Sequence, residues 1–339
     1  DFIVNLGGNI DHSNKTKTYS SHYLGVKNLY NIFKNKKIER FVQVGSSSEY
    51  GKTFGAVSGG CVEKEVQRQA QSVFETSVPK VMTYDGRFRL GCEGIIHILI
   101  EPIRLTEDLK AKFEKVFNQR VTFQSESFFA MEEGSDSAFG TQFIFNEERY
   151  SLREKFSPLE GNNCFKQTFN PLFQLYLFGA EHDTVRLCKA ASDLGWQVIV
   201  VAAADEEKTK AFFKGAHRFI TPTFEALDLS GIDAQTAVML MTHSFNKDVQ
   251  YLLALAKTKP AYFGILGPKH RRERVLEKAL DFNPELSIEF LERLHGPAGI
   301  NIGAESAEEM TVSILAEILS VIRNQQPVQL KEKSGTIHD

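Results

Sequence analysis

The sequence has little cysteine. Among 339 residues there are four, Cys61, Cys92, Cys164 and Cys188, and no two form a C-x-x-C pair. They make no disulfide framework, and a reducing cytoplasm is the expected compartment. No apolar run approaches the roughly 20 residues that a membrane helix needs, so no membrane role is expected. Neither sign of charge dominates, with a formal net charge of -3 and a pI of about 6.4. That balance argues against a nucleic-acid partner held by bulk attraction to phosphate. The opening Asp1-Phe2-Ile3-Val4 has neither an initiator methionine nor a basic leader. No signal peptide is expected, and the start reads as the middle of a protein.

What is present is ordinary for a folded protein: 42% of residues are hydrophobic and 24% charged, so disorder is not the expectation. The length suits two domains, with room for an extra segment. Residues 1–6 read as a buried parallel strand, 20–34 as a helix with Leu24, Leu29, Ile32 and Phe33 on one face, and 40–45 as a second strand. Together they make one βαβ unit. The pieces D-F-I-V-N-L, the helix carrying Gly25 and Asn28-Leu29, and R-F-V-Q-V-G-S-S-S-E-Y-G resemble the interior of extended short-chain dehydrogenases, the NAD-dependent nucleotide-sugar epimerases and dehydratases. That resemblance implies a catalytic hydroxyl near Ser47 and Ser48. It covers only residues 1–52. The family's G-x-x-G-x-x-G opening is absent, and no Y-x-x-x-K follows the serine run. Tyr23 with Lys27 and Tyr30 with Lys34 fit that spacing but precede the run, and read as ordinary helix residues. Composition changes near Lys52, so a chimeric junction is expected at 51–53.

Residues 53–62 read as a strand that breaks into a tight turn at Gly59-Gly60. Residues 63–73 then read as a helix, with Val62, Val66 and Ala70 on one side. Cys61 falls at or just before the helix N-terminus, where free amides and the dipole favour a thiolate. A small buried residue in a turn is the plainer account of it. The glycines beside it, which let another molecule approach the backbone, and Glu63, a nearby proton acceptor, favour a contact role. Residues 80–84 and 95–100 read as strands flanking the turn Gly91-Cys92-Glu93-Gly94. Two turn cysteines beside glycines suit a soft metal or sulfur centre. Residues 105–117 read as a helix, and 118–170 as short β-strands in which Glu132-Glu133 and Glu147-Glu148 are solvated.

From Pro171 the pattern becomes regular. Strands are expected at 175–178, 197–201, 236–241 and 261–266, with helices at 184–194, 208–217, 247–257, 269–282 and 307–323. The fold class is α/β: an N-terminal α+β domain followed by a Rossmann-like, doubly wound parallel sheet. Ligands in such sheets lie beyond the carboxyl ends of the strands. The loops there carry Gly179 and His182, then His243, then Lys269 and Arg271, with His295 further on. An NAD site is not expected. Only Gly179 of the glycine fingerprint is present, Glu181 would repel a pyrophosphate, and Ala202 stands where an acid would hold a ribose. The run Lys269-His270-Arg271-Arg272 opens a helix, as a phosphate holder or as a solvated turn. His243 and His295 read either as ligand contacts or as structural histidines.

The ordered segments T-F-G-A-V-S-G-G-C-V-E, L-G-C-E-G-I-I-H-I-L-I-E-P-I, L-Y-L-F-G-A-E-H, A-V-M-L-M-T-H-S-F-N-K-D, Y-F-G-I-L-G-P-K-H-R-R-E-R and H-G-P-A-G-I-N-I-G-A-E-S resemble the xanthine dehydrogenase accessory protein family (XdhC/CoxI-like). The resemblance spans residues 53–325. It gives a domain over 53–170, a Rossmann-like domain over 171–325 and a polar tail over 326–339. It implies a maturation factor, often dimeric, that binds molybdenum cofactor, protects its sulfurated form and delivers it to xanthine dehydrogenase or a related molybdoenzyme. A cysteine desulfurase is a further implied partner. The residues it implicates are Gly59, Gly60, Cys61, Glu63, Cys92, Gly179, His182, His243, Lys269, Arg271 and His295, with Cys61 and Cys92 as metal contacts. Glu93, Glu181 and Ala202 depart from the family pattern. They also leave room for an inactive scaffold, beside the NAD-dependent epimerase reading that rests on residues 1–52.

Overall fold

The computed structural model describes residues 2–5, 40–43, 61–85, 95–103, 105–153 and 156–333; residues 2–5, 40–43 and Cys61 are described by their backbone alone. The expected helix at 20–34, the serine run, the Gly59-Gly60 turn and the Gly91-Cys92 turn lie outside the described residues. The chain forms two compact units, Asp1–Pro171 and Leu172–Asp339.

In the first unit β1 (Phe2–Asn5) and β2 (Arg40–Gln43) pair in parallel. Helix α1 (Cys61–Thr76) runs longer at both ends than its periodicity suggests. Its Val62, Val66, Ala70 and Val73 recur at spacings of three and four, so they share one face. That face packs on Met82 of β3 (Lys80–Asp85) and on Ile98 and Ile100 of β4 (Ile95–Ile100), an antiparallel pair. Helix α2 (Glu107–Asn118) begins where the Thr106 hydroxyl accepts the Leu109 N–H. It lies on a second antiparallel sheet made of β5 (Phe123–Phe129), β7 (Gly140–Phe145), β8 (Glu148–Ser151) and β9 (Asn163–Phe169), in the order β8-β7-β5-β9. The short strand β6 (Gly134–Ser135) adds to β3. Phe113 is the centre of this core. Its ring meets Phe123, Phe143 and Phe145 edge-on at 5.7, 4.9 and 5.1 Å, the geometry that aromatic quadrupoles favour.

The second unit is built on six parallel strands: β10 (Gln174–Phe178), β11 (Gln197–Val201), β12 (Ala216–Ile220), β13 (Thr236–Leu240), β14 (Tyr262–Ile265) and β15 (Leu294–His295). Their order is β12-β11-β10-β13-β14-β15. Counted from β10 this is 3-2-1-4-5-6, the Rossmann order, with its reversal between β10 and β13. The central strands are near-continuous apolar runs because both faces are covered. Helices α3 (His182–Asp193) and α7 (Ala307–Arg323) cover one face with Leu187, Ala191, Ile314 and Ile318. Helices α4 (Phe245–Leu255) and α5 (Lys269–Phe282) cover the other with Val249, Leu252, Val275 and Ala279.

The expected helix at 208–217 is not formed. A single 3-10 turn, Lys210–Phe212, is followed by strand β12. Gly215 stands between them at φ +91°, and a Cβ there would lie 2.5 Å from the Ser192 side chain. The chain passes too close beneath α3, and in the wrong backbone region, for a helix to continue. Strand β15 and the short helix α6 (Ile288–Glu292) are not expected from the sequence either, since neither is long enough to show a period. By contrast α5 and α7 have the expected bounds. A capping box between Ser306 and Glu309 starts α7, and Asn324 in the left-handed region ends it. Ser306→Ala is expected to cost about 1 kcal/mol. Urea unfolding followed by the fluorescence of Trp196, the single tryptophan and a buried residue of the second unit, measures this. Among the described residues no helix is long and apolar enough to cross a membrane.

Candidate functional site

The sheet reversal places the β10–α3 and β13–α4 loops side by side, and Gly179 makes their close approach possible. It has φ +133°, and a Cβ on it would lie 2.3 Å from the Met241 carbonyl oxygen. Only glycine accepts both that conformation and that distance. Beyond it, Glu181 holds the N-cap position of α3 without a side-chain cap bond, and His182 and Asp183 form the first turn. His243, at φ +54°, crosses from the neighbouring loop to put Nε2 3.2 Å from Asp183 Oδ2. The His182 ring accepts a bond of 3.4 Å from Arg186 Nε, and Arg186 also meets Glu308 at 3.0 Å. Three of the implicated residues, Gly179, His182 and His243, therefore gather at the reversal. Asp183, which sequence reasoning missed, ties two of their loops together. Its place next to His182 in the loop was the signal.

The next loop is ordered by a buried carboxylate. Asp248, in the first turn of α4 and 1% exposed, accepts from the Thr242 hydroxyl at 2.6 Å and from Arg271 Nη2 at 2.5 Å. Gly267 (φ +118°) makes room for Arg271, whose Cδ would lie 2.6 Å from a Cβ there. Of the basic run at the start of α5, the two arginines are turned inward. Arg271 is committed to Asp248, and Arg272 Nε donates to the Leu294 carbonyl at 2.8 Å. The charge-assisted bond to the buried Asp248 carboxylate accounts for the inward turn of Arg271. Lys269 stays exposed beside Glu273 at 3.8 Å, a spacing that contributes little, and His270 is exposed.

His295 belongs to a separate cluster. Its Nδ1 lies 3.1 Å from Glu317 Oε1 on α7. Glu317 Oε2 also accepts from the Tyr262 hydroxyl at 2.5 Å and from the Gly299 N–H at 2.7 Å. Burial raises the Glu317 pKa, but the bonds from His295, Tyr262 and Gly299 outweigh it and hold the carboxyl below its ordinary value. Tyr262 is pushed well above the usual phenol value, first by burial and then by the Glu317 charge.

In the first unit, Cys61 is the first residue of α1 and Glu63 lies half-buried in its first turn. Gly59, Gly60 and Cys92 are outside the described residues. Cys188 is a core residue, its thiol pushed up to about 12 by burial. Among the described residues no group of three or more His, Cys, Asp or Glu is placed to hold a metal ion.

Comparison with known proteins agrees with this architecture. Residues 175–318 match the XdhC Rossmann domain, and residues 46–85 match the XdhC and CoxI family. The second match begins within the serine run, ahead of Thr53. A probable xanthine dehydrogenase subunit from Bacillus subtilis (strain 168) is 27% identical over 290 residues, 79% of this chain and 84% of its own length. The molybdenum cofactor insertion chaperone PaoD of Escherichia coli (strain K12) is 23% identical over 288 residues, 82% of this chain and 77% of its own. The crystal structure of a xanthine dehydrogenase from Bacillus halodurans superposes with a TM-score of 0.65 at 26% identity, covering 84% of this chain and 90% of that one.

Proposed function

Because the chain belongs to the XdhC and CoxI family, we propose that it is a maturation factor that binds molybdenum cofactor as cargo. In this reading it protects the sulfurated form and inserts it into xanthine dehydrogenase or a related molybdenum hydroxylase. The observation that carries the reading is the likeness, along 82% of the chain, to a molybdenum cofactor insertion chaperone. The site chemistry supports it. Gly179 opens the reversal of the sheet, His182 and His243 offer nitrogen donors there, and Lys269 offers an exposed cation for the phosphate of the cargo. Arg271, held by Asp248, contributes the remainder of its fork. In the first unit, Cys61 at the start of α1, with Glu63, Gly59, Gly60 and Cys92, is proposed separately as a contact for a sulfur or metal centre, since thiolates suit soft centres. A cysteine desulfurase that supplies the sulfur, and a second copy of the chain, complete the proposed assembly.

Cys61→Ala is expected to retain about tenfold less molybdenum through anaerobic gel filtration than the parent, a loss of about 1.4 kcal/mol. Equal retention would remove Cys61 from the site. The second reading, an NAD-dependent oxidoreductase on nucleotide sugars, draws on the parallel pairing of β1 with β2. NAD co-eluting from a mixture of both ligands, with no molybdenum, would favour it. Co-elution of neither would favour a scaffold.

A further inference from the structure

The cluster of Tyr262, His295 and Glu317 joins β14, β15 and α7. Glu317 is the common acceptor. The Gly299 N–H can only donate, and it points at the same oxygen that receives the Tyr262 hydroxyl. A carboxyl so surrounded is an acceptor at both oxygens, and its lowered pKa agrees. Nδ1 of His295, 3.1 Å from Oε1, must then carry the hydrogen. The ring is also fixed in orientation. It stacks on Tyr262 with centroids 4.6 Å apart and planes at 27°.

The chain on either side of His295 is pinned as well. The Leu294 carbonyl accepts from Arg272. Gly296 presses so closely on the sheet that a Cβ would lie 2.6 Å from Ile265 Cγ2. The Ala298 N–H bonds the Ile265 carbonyl, so this loop passes the carboxyl end of β14, the side on which such sheets bind ligands. The His295 side chain remains 32% exposed, and its Nε2 has no hydrogen-bond partner among the described residues.

We infer that Glu317 is a positioning residue: it fixes His295 as the Nδ1–H tautomer, so that Nε2 presents a lone pair to an N–H donor of a bound pterin. This rests on the proposed binding of molybdenum cofactor, which carries such donors on its pterin. The arrangement is the one by which carboxylates set the tautomer and direction of functional histidines.

The tautomer is read directly in the unmodified protein, by long-range 15N–1H correlation on histidine-labelled chain, with the His295 signals identified by their loss in His295→Ala. Nδ1–H is the expected form, and an Nε2–H signal would overturn the inference. Glu317→Ala is expected to release the ring to the Nε2–H form that free imidazole side chains prefer. It should also lower molybdenum cofactor retention about tenfold, as His295→Ala should, with the double variant no weaker than either single one. Tyr262→Phe weakens the same cluster but leaves the His295–Glu317 bond, so it should keep both the tautomer and the retention. Full retention by a folded His295→Ala variant would overturn the ligand role. Should the unmodified protein retain no cofactor, the functional reading falls, while the spectrum still decides what Glu317 does.

Discussion

Asp248→Ala lowers the unfolding free energy of the Leu172–Asp339 unit by about 3 kcal/mol, the result expected from breaking a buried ion pair by removing one partner. Asp248 is 1% exposed and is the carboxylate that pairs with Arg271. Its loss leaves a mostly buried guanidinium without that counter-charge and the Thr242 hydroxyl without its closest acceptor. The exposed pair Lys189–Asp193 is the contrast. Asp193→Ala should change stability by about 0.5 kcal/mol or less. Urea unfolding read by Trp196 fluorescence reports on this unit alone, which avoids treating two units as one transition. A midpoint for Asp248→Ala no further shifted than that of Asp193→Ala would show that Arg271 finds solvent when released. Because Thr242 precedes His243, the same change should also loosen the loop that brings His243 to Asp183.

Gly179→Ala should be at least as damaging, on the order of 3 kcal/mol. Two costs combine there. The backbone lies at φ +133°, and the added carbon would lie 2.3 Å from the Met241 carbonyl oxygen. Neither neighbour can withdraw cheaply. The Gly179 N–H is bonded to the Val201 carbonyl at 2.9 Å, and the Met241 N–H to the Phe178 carbonyl at 2.7 Å. Gly303 separates the two costs: it is also left-handed, at φ +72°, but a Cβ there meets nothing within 4 Å. Gly303→Ala should therefore lose only about 1 kcal/mol. Similar midpoints for the two variants would mean that the approach of the β10 and β13 loops is not tight. A stable Gly179→Ala protein that retained the cofactor would argue against a ligand at the sheet reversal.

The parts of the fold that are legible in the sequence are those with a strong local cause. Strands β10, β11 and β13 announce themselves because parallel strands covered on both faces are apolar throughout. The ends of α5 and α7 are clear because Pro268 precedes one and Ser306 with Glu309 opens the other. The stretch 208–217 misleads because Phe212 and Phe213 with flanking lysines mimic a helix face. What decides against it, the proximity of Gly215 to Ser192, is a contact across the fold. Strand β15, at two residues, is below any detectable period.

The site divides in the same way. Gly179, His182 and His243 lie in loops that the strand pattern already puts at one edge of the sheet. The carboxylates that organise them are not visible there. Asp183 has only its place beside His182 to mark it, Asp248 has no such neighbour, and Glu317 stands 55 positions from Tyr262, a separation that carries no spacing rule. Arg271 is legible at a helix start, but its partner is not.

Gly264 carries a consequence for how this sequence can change over time. It lies in the middle of β14 opposite His295. A Cβ there would lie 2.6 Å from Met239 Sδ and 2.8 Å from the Tyr262 ring and hydroxyl. The missing side chain is the space through which the Tyr262 ring crosses its own strand toward Glu317. A methyl at 264 pushes that hydroxyl off the carboxylate, whereas a smaller residue at 262 removes the obstacle first. The order of substitution therefore matters. Position 264 can gain a side chain only in a lineage that has already given up the ring at 262, and with it one of the three donors that hold Glu317 in place.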